Sequence, residues 1–270
     1  TACALLEYFN LIDRDKIIRT RSNELLDTCE YVCDVGGIYN SDIKRFDHHQ
    51  ADYIGDLSSA GMILEYLRKQ KIISVREFDF FNNSLVRGVD AHDNGRDPQV
   101  PGFCTFSNVI SNFTPIQYDA DSDVQDNAFF QAESFAKGHI ERLHKRFQYS
   151  QGCRELVIKA MAEGRDCLIF EQAIPWMDAF FELEGESHPA EFIIMPSGKN
   201  WKLRGIPPTS DDRMKVRKPL PEEWAGLLEG ELKKVCRIDG AKFCHKGRFI
   251  SVWNTKEDAL KALEIALKNK

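Results

Sequence analysis

Side chains able to bind metal ions concentrate between residues 34 and 93 of this 270-residue chain. Carboxylates and imidazoles without thiolates suit Mn²⁺, Mg²⁺ or Fe²⁺ better than a structural zinc ion. A two-metal site needs carboxylates that bridge ions about 3.5–4 Å apart, and imidazoles that complete the coordination of each ion. The candidate residues are Asp34, Asp47, His48, His49, Asp90 and Asp93.

Each candidate also has an ordinary structural interpretation. An aspartate that ends a strand, as Asp34 does, is more often a turn or cap residue than a ligand. His48 and His49 are adjacent, so only one of them is expected to bind a given ion. Asp90 and Asp93 lie three residues apart on a predicted helix and repel each other unless a cation or base lies between them. The combination is therefore more specific than its parts.

The elements that would position these residues form a strand–helix alternation. Residues 31–35 predict a strand without polar alternation, as in a strand buried on both faces. It ends at Gly36-Gly37, where the backbone could pass close to a ligand held by Asp34. Ligands in parallel sheets gather beyond the carboxyl ends of strands. Helices are expected at Ser59–Lys69 and 75–92, so residues 1–115 predict a parallel α/β sheet.

The fold class predicted for the whole chain is α/β, with a boundary near residue 150. Residues 1–150 would form a parallel-sheet domain with helices on both faces, and residues 151–270 a smaller α/β domain. A long helical connector is expected over residues 121–162. Further strands are predicted at 16–19, 167–170, 192–195, 201–206, Ala241–Cys244 and 249–253, and further helices at 22–26, 176–181, 222–228 and Lys256–Lys268.

Composition excludes several classes of protein. The chain is 43% hydrophobic and 29% charged, which excludes a disordered or collagen-like protein. Its longest uninterrupted apolar run, residues 2–6, is far shorter than the ~20 residues of a membrane span. The eight cysteines form no C-x-x-C pair, and most lie in apolar segments, as free buried thiols do. This favours a reducing compartment and a cytoplasmic location. The start at Thr1 shows neither a signal sequence nor an initiator Met, so preceding residues are expected.

Charge differs between the two halves. Residues 1–150 carry 16 basic and 23 acidic residues, whereas residues 151–270 carry 20 and 19. The acidic half suits carboxylates that bind cations, although a solvated acidic surface has the same signature. Basic residues interleaved with Trp201 over residues 199–218 suit a single-stranded nucleic acid, and a solvated loop is an equal alternative. The cations expected to contact a substrate are Arg204, Lys246 and Arg248.

Asp47-His48-His49 matches the signature triplet of the DHH phosphoesterase superfamily. The surrounding sequence resembles the melanocyte-proliferating-gene (MYG-type) family of metal-dependent hydrolases. The resemblance extends over nearly the whole chain. The segments that carry it are residues 33–37, 45–50, 57–61, 90–95, 175–176, 220–224 and 243–250.

The resemblance implies a Mn²⁺-dependent phosphodiesterase that binds two metal ions. Mg²⁺ could take the place of Mn²⁺. It implies a 3′→5′ exonuclease acting on RNA or short oligonucleotides, with no membrane association. The oligomeric state stays open, a homodimer included. A second domain would clamp the substrate. A small phosphoanhydride or cyclic nucleotide is an alternative substrate, and a catalytically inactive RNA- or protein-binding member is a third interpretation.

The resemblance also implies roles for individual residues. Asp34 would bridge both metals and His48 would bind one of them. Asp47 would orient His48, and His49 would face the substrate phosphate. Asp93 would be the last acidic ligand, with Asp90 as the competing choice. Ser58 and Ser59 open a helix whose hydroxyls and amides could hold a phosphate.

The chain departs from the family pattern at two places. The first family motif, His-x-Asp-Glu, would lie immediately before Thr1. A Gly-Gly-His phosphate clamp is replaced by Ser251-Val252-Trp253, where Trp253 could stack on a base instead.

Overall fold

The fold is known from a computed structural model that describes residues 1–98, 100–163, 166–213 and 215–269. It divides into two compact units, Thr1–Phe147 and Gln148–Lys270. Each unit contains helices and one β-sheet, so the α/β class is confirmed.

In the first unit, three short strands form a mixed sheet. They are β1 (Val32–Cys33), β2 (Tyr39–Asn40) and β3 (Arg45–Phe46), in the order β1-β3-β2. β1 and β3 are parallel as expected, but β2 pairs antiparallel with β3. The strand predicted over residues 16–19 is wrong, because a 3₁₀ turn at Arg14–Lys16 leads there into irregular chain.

The helices of the first unit surround a core that includes Leu5, Phe46, Ile63 and Ile140. The helices are α1 (Ala2–Tyr8), α2 (Asn23–Leu26), α3 (Ser59–Lys69), α4 (Val75–Phe81), α5 (Arg87–Asp93), α6 (Phe106–Ser111) and α7 (Ser122–Gly152), which runs past the unit boundary.

Local sequence explains where the helices next to the candidate site begin. Ser58 caps α3, since its hydroxyl accepts a hydrogen bond from the Ala60 amide. α3 has the predicted bounds, and its apolar stripe is buried. The helix predicted over residues 75–92 is present as α4, a π-helical segment Asn82–Val86 and α5. α5 carries both Asp90 and Asp93.

The second unit is built on a five-stranded sheet in the order β4-β5-β6-β8-β7. β4 and β5 are parallel, and the remaining pairs are antiparallel. The strands are β4 (Cys167–Ile169), β5 (Phe192–Ser197), β6 (Asn200–Gly205), β7 (Ala241–Cys244) and β8 (Ile250–Trp253), and the helices are α8 (Arg154–Ala162), α9 (Met177–Glu182), α10 (Glu229–Cys236) and α11 (Lys256–Lys268).

The two faces of this sheet have separate cores. α10 and α11 cover one face, where Leu203 and Trp253 are fully buried. α8 and α9 pack on the other face over Ile193 and Met195 of β5. The helix predicted over residues 222–228 is wrong, because only a 3₁₀ turn at Glu222–Trp224 forms there and the helix begins at Glu229.

Candidate metal centre

Asp34 follows β1 in a backbone conformation unusual for a residue with a side chain. Its φ is +66°, and Gly36 and Gly37 continue the turn at +92° and +64°. Aspartate tolerates the left-handed region better than most residues, and such conformations cluster at functional sites. The Ser59 hydroxyl of α3 lies 3.3 Å from Asp34 Oδ1, but it is closer to the Phe46 carbonyl, at 2.6 Å, to which it donates its proton.

His48 lies at the centre of the candidate site. Its Nε2 is 3.6 Å from Asp34 Oδ1 and 3.2 Å from Asp93 Oδ2. The His48 side chain is only 7% exposed, and Nε2 has no hydrogen-bond partner among the described residues. Asp34, His48 and His49 each offer a ligand atom within 4.8 Å of the others.

These residues fit a divalent cation. A buried polar atom without a partner is costly, so an imidazole nitrogen aimed at two carboxylates calls for a group that satisfies it. A cation between them would accept the nitrogen lone pair and compensate both negative charges. The donors are oxygen and imidazole nitrogen, the set that Mn²⁺ and related ions accept.

Asp47 supports His49, which corrects the expectation that it orients His48. Its Oδ1 accepts the amides of His48 and His49 and lies 2.6 Å from His49 Nδ1. The Gly37 amide donates to Oδ2. Because the carboxylate folds over the two amides that follow it, the ring it reaches is that of His49.

The pKa values of this pair move apart. Burial by itself raises the pKa of Asp47, but hydrogen bonds from the His49 ring and from the Gly37, His49 and His48 amides outweigh it, so the net pKa is lowered. The hydrogen bond to Asp47 raises the pKa of His49. The proton-bearing form of His49 is therefore favoured beside a buried carboxylate.

The Asp90 carboxylate accepts hydrogen bonds from residues at the start of α3. Its Oδ1 accepts from the Ser58 amide at 3.0 Å, the Ser58 hydroxyl at 2.6 Å and the Gly61 amide at 3.1 Å. Burial raises its pKa despite these hydrogen bonds. Of the two acidic candidates on α5, the one whose oxygen approaches His48 is therefore Asp93.

The same contacts correct the expectation for Ser58 and Ser59. Both residues are buried, with 2% and 4% exposure. The Ser59 hydroxyl donates to the Phe46 carbonyl at 2.6 Å, and that of Ser58 to Asp90. The start of α3 does bind an anion, as its amides predict, but that anion is the protein's own carboxylate. Ser58 holds Asp90 and Ser59 holds the Phe46 carbonyl, so both hydroxyl protons are used within the protein.

The basic candidates lie in the second unit. Arg204 is on β6 opposite Ile250 and is half-buried. Exposed Lys246 and half-buried Arg248 are in the turn between β7 and β8. Trp253 is fully buried, where its indole N–H donates to Ser251 Oγ, so the expectation that it stacks on a base is wrong.

Sequence reasoning singled out Gly37 for its place beside Asp34 but missed its contact with Asp47, and it missed the role of Gly61. Gly37 supplies an amide to Asp47, and Gly61 leaves room for Asp90, since a Cβ there would lie 2.4 Å from Asp90 Oδ2. A glycine inside the apolar pattern of α3 was the available signal for a close approach.

A family model described as "Uncharacterised protein family (UPF0160)", with the short name MYG1_exonuc, matches residues 1–267. The chain belongs to this family. A "MYG1 protein" of Chlamydia trachomatis serovar D is 49% identical over 268 residues, covering 99% of this chain and 92% of that protein. A "MYG1 exonuclease" of Mus musculus is 29% identical over 301 residues, covering 96% of this chain and 79% of that protein.

The family assignment agrees with the resemblance deduced from the motifs around Asp34 and Asp47-His48-His49. No solved structure matches the chain. Within the described residues, no helix has the length and apolar character that crossing a membrane requires.

Proposed function

We propose that this family member is a divalent-metal-dependent phosphodiesterase of the DHH type. Its substrate would be RNA or short oligonucleotides, digested 3′→5′ in the cytoplasm with two ions, Mn²⁺ preferred over Mg²⁺. The observation that carries the proposal is the buried, unpartnered Nε2 of His48 between Asp34 and Asp93. Relatives named MYG1 exonuclease support a nuclease.

The metal ligands proposed for the first unit are Asp34, His48 and Asp93. When bound, divalent ions would supply Lewis-acid stabilisation of charge on the phosphate and a more acidic water. The turn at Gly36-Gly37 would hold Asp34 in its left-handed backbone conformation, ready for binding. Asp90 would serve as a positioning residue, because it ties α5, and with it Asp93, to the start of α3.

His49 is proposed to contact the substrate phosphate. Its Nδ1 is engaged by Asp47, and its side chain is 62% exposed. The remaining ring nitrogen can therefore donate a proton or a hydrogen bond to a phosphate oxygen. Asp47 would orient this ring and favour its charged form, in which it also compensates developing negative charge.

Residues 1–150 are proposed as the catalytic domain and residues 151–270 as the domain that binds the substrate chain. This division of roles assigns the metal chemistry to one unit and leaves oligonucleotide contacts, such as those of Arg204 and the 245–249 turn, to the other.

The direct test is Mn²⁺-stimulated cleavage of a 5′-labelled single-stranded RNA. Asp34→Asn removes a proposed ligand charge with little change in shape and is expected to abolish cleavage, whereas Asp52→Asn, an exposed control, should cleave normally. A ladder of products shortening from the 3′ end is expected. Normal cleavage by Asp34→Asn would defeat the proposal, and turnover of pyrophosphate alone would favour the small-phosphoanhydride alternative.

A further inference from the structure

Among the described residues of the second unit, no helix packs on one region of its sheet. α10 and α11 pack on the face that contains Leu203 and Trp253, and α8 and α9 reach the opposite face at β4 and β5. On that opposite face, β6, β8 and β7 contribute only half-buried side chains. These half-buried side chains, which we call the open sheet face, are Lys202, Arg204, Phe243, Ile250 and Val252.

Strand register places these side chains next to one another. Arg204 is opposite Ile193 on one side and Ile250 on the other. Lys202 pairs with Val252, which in turn pairs with Phe243. Side chains two residues apart on a strand share a face, so Lys202 and Arg204 are neighbours. The surface is an apolar and aromatic platform that carries two adjacent positive charges.

The two cations have no counter-ion among the described residues. Neither Lys202 nor Arg204 makes an ion pair or a side-chain hydrogen bond within the part of the chain that the structure describes. The Nε of Arg204 is buried without a partner. Burial lowers the pKa of Arg204, and burial together with the charge of Arg204 lowers that of Lys202. Two desolvated like charges side by side are relieved by an anion placed over them.

We infer that the open sheet face binds a single-stranded oligonucleotide, with phosphates on Lys202 and Arg204 and a base against Phe243. This inference rests on the proposed nuclease function and names the surface that would take its substrate chain. Two adjacent cations can each contact a phosphate of the chain. The half-buried Phe243 ring, which lies opposite Val252 and 6.2 Å from the His245 ring, offers a stacking surface that accepts any base. A free phosphate or an acidic peptide would use the charges but not Phe243.

The test is binding of a labelled single-stranded RNA to the intact chain in EDTA, measured by fluorescence anisotropy, so that cleavage plays no part. Lys202→Gln/Arg204→Gln should weaken binding about tenfold or more and reduce the salt slope, since phosphate contacts release counterions. The matched control, Lys234→Gln/Lys261→Gln, removes two exposed charges from α10 and α11, which cover the other face, and should bind like the wild type.

Phe243→Leu keeps the charges and should also weaken RNA binding by roughly tenfold, because a stacked base is lost. Circular dichroism must show every variant folded; Lys202→Met/Arg204→Met, which keeps apolar bulk, replaces the Gln pair if that pair unfolds. Wild-type affinity in the charge variants overturns the inference. So does equal competition by polyglutamate, or an unaltered affinity in Phe243→Leu.

Failure of this inference is distinguishable from failure of the proposed function. If Asp34→Asn abolishes cleavage while the sheet variants bind RNA normally, only the open sheet face is wrong. If the sheet variants lose binding while Asp34→Asn still cleaves, the surface stands and the metal assignment fails.

Discussion

The carboxylate of Asp90 on α5 occupies space that only a glycine at position 61 of α3 leaves open. A Cβ at Gly61 would lie 2.4 Å from Asp90 Oδ2, and the Gly61 amide itself donates to Oδ1. The two helices therefore approach each other through a hydrogen-bonded carboxylate. This contact holds the end of α5, where Asp93 faces His48.

Gly61→Ala is expected to destabilise the first unit by about 1–3 kcal/mol, because the added methyl must displace a buried, hydrogen-bonded group. It should also weaken Mn²⁺ binding by moving Asp93. Gly88→Ala on α5 is the matched control, since a Cβ there meets nothing within 4 Å. Urea unfolding of both variants is the measurement, and equal stability of the two would contradict the contact.

A second prediction concerns a pair of acids between α1 and α7. Burial, followed by the neighbouring Glu7 carboxyl, raises the pKa of Glu133 from its usual 4.5 to about 7. The folded chain then binds more protons than the unfolded chain between these values. Stability from this group is complete below pH 4.5 and is lost as pH rises through about 7.

Glu133→Gln should accordingly flatten the fall in unfolding free energy between pH 4.5 and about pH 7, the window between the two pKa values. Glu24→Gln, at an exposed site on α2, is the control and should leave the slope unchanged. Urea titrations at several pH values provide the measurement. A slope that is the same in wild type and Glu133→Gln would show that Glu133 does not titrate in this way.

Trp253 is expected to stabilise the second unit and not to contact the substrate. Its ring is fully buried against Trp224, with centroids 5.5 Å apart. Trp253→Phe loses the hydrogen bond to Ser251 and some packing, so a cost of about 1–3 kcal/mol is expected. RNA affinity of the folded variant should equal that of the wild type. A stable variant with reduced affinity would restore a role in base stacking.

The cap of α11 gives a fourth prediction. Thr255 Oγ1 accepts the Asp258 amide and donates to its carboxylate, so Thr255→Ala should destabilise the second unit by about 0.5–2 kcal/mol. Ser22 occupies the same position before α2 but makes no side-chain cap bond. Ser22→Ala should therefore have little effect. Thermal unfolding compares the two, and equal losses would mean that the Thr255 bond contributes nothing.

Much of the fold follows from local sequence patterns. The bounds of α3, β7 and α11 all agree with those predicted from the sequence. Residues 229–236 were missed because Gly230 and several charges hide a helix that buries only Leu232 and Cys236. A tertiary environment, not intrinsic propensity, stabilises that helix.

The candidate site could also be predicted only in part. Residue types and spacing gave six candidates, and the family resemblance implied that Asp34, His48 and Asp93 are ligands; the fold brings these three together. The choice between Asp90 and Asp93 could not be made from sequence, because it depends on which carboxylate reaches the amides of α3. The partner of Asp47 depends on a local turn, and burial of Ser58 depends on how α3 and α5 pack.

The central claim is that His48, Asp34 and Asp93 bind a divalent cation. Isothermal titration of Mn²⁺ into the intact chain tests it most directly, with folding of each variant checked by circular dichroism. The wild type and Asp52→Asn should bind Mn²⁺ alike, while Asp34→Asn and His48→Ala should lose at least about tenfold in affinity, as removal of a ligand or its support does. Unchanged Mn²⁺ affinity in both ligand variants, or no binding by the wild type, would contradict the account.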